Sequence, residues 1–118
     1  MTKIINWKTN KTIIEDENPS IEKLVEKAVR EKISLQYANL RYAYLGYANL
    51  EGAYLGYADL EGANLEGAIL KGAYLQGAYL KGAYLEGANL KYAKINQDQL
   101  IDLIECLNIE INNKKEND

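Results

Sequence analysis

The chain has no histidine and no phenylalanine, and only one cysteine, one proline, one methionine and one tryptophan among its 118 residues. Without histidine, the side chain that most often moves protons near neutral pH is missing, and a zinc site loses its commonest nitrogen ligand. A single cysteine, Cys106, excludes a disulfide framework within the chain. It stands in a predicted helix with no partner base, so it reads as a small apolar side chain rather than a nucleophile. No apolar run approaches the roughly 18 residues of a membrane-spanning helix. The opening Met1-Thr2-Lys3-Ile4-Ile5-Asn6-Trp7-Lys8 has no apolar stretch long enough for a secretory leader. Glycine is present, but spaced at corners rather than gathered into a phosphate-binding loop. The expectation is a cytoplasmic, non-enzymatic protein with no metal, no cofactor, no small-molecule substrate and no membrane contact.

A strong charge of one sign is also lacking, the net being −3, so no direct binding to nucleic acid is expected. Residues 1–32 carry seven basic and six acidic groups, residues 33–97 carry five of each, and residues 98–118 carry two basic and six acidic groups. The acidity therefore sits at the C-terminal end.

What the chain has instead is an internal period. Leu recurs at 35, 40, 45, 50, 55, 60, 65, 70, 75, 80, 85 and 90, and Ile95 closes the series. Two residues before each stands Ala, from Ala38 to Ala93, with Ile33 in that place before Leu35. Thirteen units run in register. A period of five fits neither simple template. On a helix of 3.6 residues per turn the Leu residues would wander off any one face. On a straight strand, successive Leu residues would alternate sides. Ala and Leu two apart do share a face of an extended segment, so the remaining residues must turn a corner that brings the next pair inward again. Repeated corners make a coil, and stacked coils place Leu over Leu about 4.8 Å apart. One coil cannot bury its own Leu residues, so stability needs neighbours. Gly at 52, 62, 67, 72, 77, 82 and 87 suits a corner that demands positive φ. Asn or Asp at 39, 49, 59, 64 and 89 can bond the backbone nearby.

Units such as Ala58-Asp59-Leu60-Glu61-Gly62 and Ala88-Asn89-Leu90 resemble the motif of the pentapeptide repeat family. The resemblance covers residues 33–97. It implies a mainly β fold, a right-handed quadrilateral β-helix with four units per coil, hence three coils and one extra side. Tyr departs from the motif in two places. It replaces Asn or Asp before Leu at 44, 54, 74, 79 and 84, and Gly at the end of the unit at 37, 42, 47, 57 and 92. All ten tyrosines lie in the repeat and are expected to point outward.

Open solenoid ends expose apolar side chains and unpaired edges, so caps are expected. Residues 1–32 read as an N-terminal hairpin and capping helix. Ile4–Trp7 and Lys11–Ile14 would flank a Lys8-Thr9-Asn10 turn, and Asn18-Pro19-Ser20 would start a helix with Pro at an early helical position. Ile21, Leu24, Val25, Ala28 and Val29 would face inward. This leader is similar to one found in bacterial and phage members of the family. Residues 98–118 read as a capping helix and disordered tail. Asn96 and Gln99 would form a capping box, and Ile109 to Ile111 a short strand. Leu100, Leu103, Ile104 and Leu107 would share one helical face, widened by Ile101. A face that broad suggests a two-fold homodimer through this helix.

If four units make a coil, residues twenty apart are neighbours. Tyr54 then lies over Tyr74 and Tyr37 over Tyr57, all on one side, a candidate surface for a protein partner. Stacking for stability alone is the competing reading. Charges alternate in the Arg41, Glu61, Lys81 and Glu51, Lys71, Lys91 columns, with Glu66 over Glu86 the like pair. Three functional readings follow. The first is a non-catalytic protein-interaction scaffold. The second, implied by the family resemblance, is a phage- or bacterium-encoded inhibitor of a DNA-processing or defence enzyme, acting by mimicking the surface of DNA. A near-neutral repeat supplies little of the dense negative charge that such mimicry needs. The third is a passive structural protein.

The inside–outside assignment predicts that Leu65→Ala costs about 2–5 kcal/mol by opening a hole in a stacked column. Glu66→Ala, facing water, should fall within about 0.5 kcal/mol of neutral. Urea melts of the two variants check this, and similar losses would refute the assignment.

Overall fold

A computed structural model describes residues 1–17 and 19–108. Asn18, the expected strand at Ile109 to Ile111 and the expected tail from Asn112 to Asp118 lie outside the described residues.

Eight parallel bridges organise the repeat, from Asn39–Asp59 to Tyr74–Lys94, and each joins residues twenty apart. The path therefore closes on itself every four units. Twelve corners do the turning, each closed by the Ala N–H donating to the carbonyl of the Leu three residues earlier, from Ala38 on Leu35 to Ala93 on Leu90. The residue just before each of these Ala is left-handed: seven Gly with φ of 66–76° and five Tyr with φ of 58–64°. A positive φ at the third of four residues is the signature of a type II turn. Between corners only Ala-x-Leu remains extended, so each side contributes one bridging residue instead of a long strand. The regular two-stranded sheet lies elsewhere, in the N-terminal hairpin.

Coil is sewn to coil by backbone bonds. Leu35 N–H donates to Tyr54 O, Tyr37 N–H to Gly56 O, and Asp59 N–H returns to Ala38 O. The inside is filled as the five-residue period requires: every repeat Leu from Leu35 to Leu85 is at most 2% exposed. Each such burial contributes about 1.5–3 kcal/mol before chain entropy is set against it. Ala88, Leu90, Ala93 and Ile95 are only partly buried. Outside, Asn39, Asn49, Asp59, Asn64 and Asn89 each accept the N–H two residues on, at 3.0–3.2 Å. These are the local bonds expected of Asn and Asp. Ser34 does the same for Gln36.

The hairpin pairs β1 (Thr2–Ile5) with β2 (Thr12–Asp16), with an irregularity between Ile4 and Ile5. The first strand ends before Trp7, two residues earlier than its sequence suggests. Asn6 is the reason: its Oδ1 accepts from Lys8 N–H and Thr9 N–H, starting the turn early. The chain past β1 then serves the solenoid. Asn39 N–H donates to Ile5 O, the place a preceding coil would fill, and Trp7 N–H donates to Tyr37 O.

Helix α1 (Ile21–Arg30) is capped by Ser20, whose Oγ accepts from Lys23 N–H at 3.1 Å. Pro19 thus stands before the cap and not inside the first turn, because Ser20 supplies the side-chain acceptor a cap needs and proline has none. Leu24, Val25 and Ala28 are fully buried in the same core as the repeat Leu, with Ile21 and Val29 at its margin. Glu26 accepts from Asn49 N–H at 2.9 Å on the first coil. Lys27 and Asp16 pair at 2.8 Å, tying helix to hairpin. That bond, then the Glu17 N–H, lowers the Asp16 pKa, and the same bond raises that of Lys27. The stabilisation from Asp16 is present above the ordinary carboxyl pKa and lost as pH falls through the lowered one. That from Lys27 is present below the ordinary lysine pKa and lost as pH rises through the raised one.

At the other end a 3-10 turn (Gln97–Gln99) leads into α2 (Leu100–Cys106). Gln99 is 6% exposed. Its Oε1 accepts from Asn96 N–H at 2.6 Å, and its Nε2 donates to Leu75 O at 2.7 Å and Ala78 O at 2.9 Å. In the coils above, a carbonyl such as Ala38 O receives the backbone N–H of the residue twenty-one on. Gln99 stands twenty-one after Ala78 and supplies that donor from its side chain. Cys106 Sγ donates to Leu80 O, and Leu85 N–H donates to Cys106 O.

Five corner tyrosines hold a conformation that costs non-glycine residues of order 1–3 kcal/mol. Three of them, Tyr42, Tyr47 and Tyr57, lay their rings across the residue twenty on, which is Gly62, Gly67 and Gly77; a methyl group on any of these would overlap the ring. Gly72 has open space where its methyl would go. Gly72→Ala should therefore cost only the left-handed strain, about 1–2 kcal/mol. Gly67→Ala should cost more by displacing Tyr47, and the Tyr47→Gly/Gly67→Ala cycle should show coupling above about 0.5 kcal/mol in urea melts. Equal losses for the two alanines and no coupling would show that the ring does not depend on a bare Cα beneath it.

Candidate functional site

The twenty-residue spacing divides the solenoid surface into four sides. The first is built from units 33–37, 53–57, 73–77 and 93–97. Two of its outward columns lie one residue before the buried Leu and two residues after it. Tyr54 and Tyr74 occupy the former, with ring centroids 5.0 Å apart and planes 10° from parallel. Tyr37 and Tyr57 occupy the latter, at 5.2 Å and 11°. Both stacks lie where the spacing places them. Tyr54 and Tyr57 are about half exposed, while Tyr37 and Tyr74 are more covered.

Three further side chains join this side. Lys94, twenty after Tyr74, sets its Nζ 4.5 Å from that ring, and Lys8 sets its own 4.9 Å from Tyr37. Trp7 donates from Nε1 to Tyr57 O at 2.7 Å, and its ring meets Tyr37 and Tyr79 edge-on at 5.4 and 5.9 Å. The stacks thus use their ring faces on each other and on lysines. Lys94 was within reach of the same twenty-residue arithmetic that pairs the tyrosines. Trp7 and Lys8 were not, because the hairpin stands outside the period.

On the second side, built from units 38–42, 58–62 and 78–82, Arg41 pairs with Glu61 at 3.3 Å and Asp59 at 3.6 Å. Of the alternating columns, this contact alone forms a salt bridge among the described residues; Lys81, Lys71 and Lys91 stay apart from their column neighbours.

The terminal helix differs from the single apolar face its sequence suggests. Leu103 and Leu107 pack against the core, whereas Leu100 and Ile101 are 43% and 73% exposed and Ile104 is intermediate. The inward stripe is Gln99, Leu103, Cys106 and Leu107; Cys106 is the small apolar side chain its sequence suggests, and Gln99 alone was not read as core because it is an amide. Leu100 and Ile101 remain available to a second copy; Leu103 and Leu107 do not. Burial raises the Cys106 pKa, and the thiol is already bonded to Leu80 O, so it is poorly placed to become a thiolate nucleophile. No cluster of three or more potential metal ligands occurs among the described residues. No helix among them is long and apolar enough to cross a membrane.

The sequence matches the family model described as Pentapeptide repeats over residues 33–72 and 68–97, more than half of the chain. The chain belongs to the pentapeptide repeat family. That membership implies the right-handed quadrilateral β-helix, with which the twenty-residue bridges and four corners per coil agree. Among solved structures it is similar to the pentapeptide repeat protein Rfr23 from the cyanobacterium Cyanothece 51142, with 45% identity over 51% of this chain and 41% of that one, TM-score 0.49. It is also similar to alr5209, a pentapeptide repeat protein from Nostoc Pcc 7120, with 32% identity over 68% of this chain and 80% of that one, TM-score 0.32. The chain thus spans well under half the length of the first of these. No curated protein matches it significantly.

Ring contact between coils predicts a measurable coupling. A Tyr54→Ala/Tyr74→Ala double-mutant cycle should give about 0.5–1.5 kcal/mol. Tyr44→Ala and Tyr84→Ala, with Asn64 bridging between them, should add to within about 0.3–0.5 kcal/mol. Denaturant melts measure both, and a null result for Tyr54 with Tyr74 would remove stacking as a source of stability.

Proposed function

We propose that this chain is a non-catalytic protein-interaction scaffold of the cytoplasm, requiring no cofactor, with Tyr37, Tyr54, Tyr57 and Tyr74 as its contact surface. In this reading the hairpin with α1 and the segment with α2 close the two ends of the solenoid, so that the sides are left for partners. The observation that carries it is the pair of tyrosine stacks on one side of a rigid backbone. Tyr supplies large contact area with few rotatable bonds, and these rings are held still before any partner arrives, which lowers the entropy lost on binding. The flanking Lys8 and Lys94 give the surface cationic edges.

A second reading, a homodimer about the terminal helix, is supported by the exposure of Leu100 and Ile101. With the core taking Leu103 and Leu107, such a contact would rest on Leu100, Ile101 and the intermediate Ile104. DNA mimicry has weaker support, since the five acidic groups of the repeat are matched by five basic ones.

The test is capture of partners from host lysate by the full chain and by its Tyr54→Ser, Tyr57→Ser and Tyr74→Ser variants. The expected result is one or a few retained proteins lost at least tenfold by the variants, a difference of about 1.4 kcal/mol, while circular dichroism stays native. Unchanged capture together with a lowered Tm would leave the tyrosines a purely stabilising role.

A further inference from the structure

The zero net charge of residues 33–97 conceals an uneven distribution. By the same spacing the first side carries Lys94 alone, and the fourth (units 48–52, 68–72 and 88–92) carries Glu51, Lys71 and Lys91. The second side (units 38–42, 58–62 and 78–82) carries Arg41, Asp59, Glu61 and Lys81. The third side, from units 43–47, 63–67 and 83–87, carries Glu66 and Glu86 with no Lys or Arg. The neighbouring α2 adds Glu105, which lines one concavity of about 460 Å³ with Tyr84, Glu86 and the backbone around Gly82. None of these three carboxylates makes a salt bridge among the described residues.

The third side also holds very exposed tyrosines: Tyr44, Tyr47 and Tyr84 are 75%, 72% and 64% exposed, against 45% and 48% for Tyr54 and Tyr57 on the first. Tyr47 lies over Gly67 and its hydroxyl reaches Glu66 at 3.4 Å. Tyr44 and Tyr84 sit in one column with Asn64 between them, each bridged to it. Their two coils are therefore separated by two strand spacings, roughly 9.6 Å. A ring stack needs about half that distance, so neither ring satisfies the other. Asn64 stands between them in that column, and Glu66 and Glu86 follow in the column two residues on.

We propose that the third side is a docking face for an arginine-bearing segment of a partner protein. A guanidinium is flat and cationic. It can lie against tyrosine rings while its N–H groups bond a carboxylate, which a lysine ammonium does less well. Here Tyr44 and Tyr84 offer exposed rings, Glu66 and Glu86 offer carboxylates on the same side, and Glu105 adds a third beside Tyr84 and Glu86. The inference rests on the scaffold reading but names a different side and a specific partner chemistry.

The test is fluorescence anisotropy of the full chain with a labelled eight-residue peptide alternating Arg and Ser, and with its Lys counterpart. The Arg peptide should bind about fivefold more tightly than the Lys peptide, as ring contact with a guanidinium requires. Glu66→Gln/Glu86→Gln and Tyr84→Ser should each weaken it by about fivefold, while Glu61→Gln on the second side leaves it unchanged. Equal affinity for the two peptides, or indifference to the third-side variants, overturns the proposal. A large gain in affinity on Lys114→Gln/Lys115→Gln would assign the face to the chain's own C-terminal residues, and also overturns it. Peptide failure with tyrosine-dependent lysate capture intact sinks this inference alone; peptide binding with no such capture sinks the tyrosine-side reading instead.

Discussion

A left-handed residue at every fifth position is the constraint on which this structure depends. Burial of the Leu columns supplies most of the stabilisation, but the Leu side chains share an interior only because the backbone reverses its hand at each corner. That requirement normally calls for glycine, and here five of twelve corners are tyrosine. At Tyr42, Tyr47 and Tyr57 that strain is set against ring packing one coil on, which in turn requires a bare Cα at Gly62, Gly67 and Gly77. At Tyr37 the residue below is Tyr57 and the rings run parallel instead. Corner identity is thus coupled between coils: what stands at one corner limits what can stand twenty residues later.

Both appendages answer a different constraint. The first coil has edge groups with no coil before it, and the last has edge groups with no coil after it. Ile5 and Trp7 supply main-chain partners at one end, and Glu26 accepts from Asn49 N–H beside them. At the other, the Gln99 amide and the Cys106 thiol and carbonyl stand in for strand groups on Leu75, Ala78, Leu80 and Leu85. These polar groups are buried because they complete the hydrogen bonding of the solenoid, and the same bonds keep Cys106 away from chemistry.

The repeat was legible because its period is exact in the residues that face inward. Ala38 to Ala93 and Leu35 to Leu90 announce a coil without reference to any other structure, but the count of twenty that pairs the tyrosines came from the four units per coil that the family resemblance implies. The ends were less legible. The hairpin register turned on one side-chain acceptor, Asn6, and the helix start on Ser20 rather than the adjacent proline. The inward stripe of the C-terminal segment was read only in part, because hydrophobic periodicity cannot see Gln99, which is buried for its hydrogen bonds and not for its carbon. Trp7 was missed because where it lands depends on how the hairpin docks. The polarity of the third side was in the sequence all along, but net charge averages it away until the residues are sorted by side.

Because the C-terminal segment makes its bonds to the coil immediately above it, its attachment is local, while the backbone bonds of the hairpin, from Asn39 N–H to Ile5 O and from Trp7 N–H to Tyr37 O, are to the first coil. The angle between the two attachments about the long axis is therefore set by how many units separate them. Adding or deleting one unit would turn one appendage a quarter revolution relative to the other with the Leu interior unchanged; four would restore the original bearing at greater length. In such a molecule, the unit count acts as an orientation setting for whatever its two ends carry.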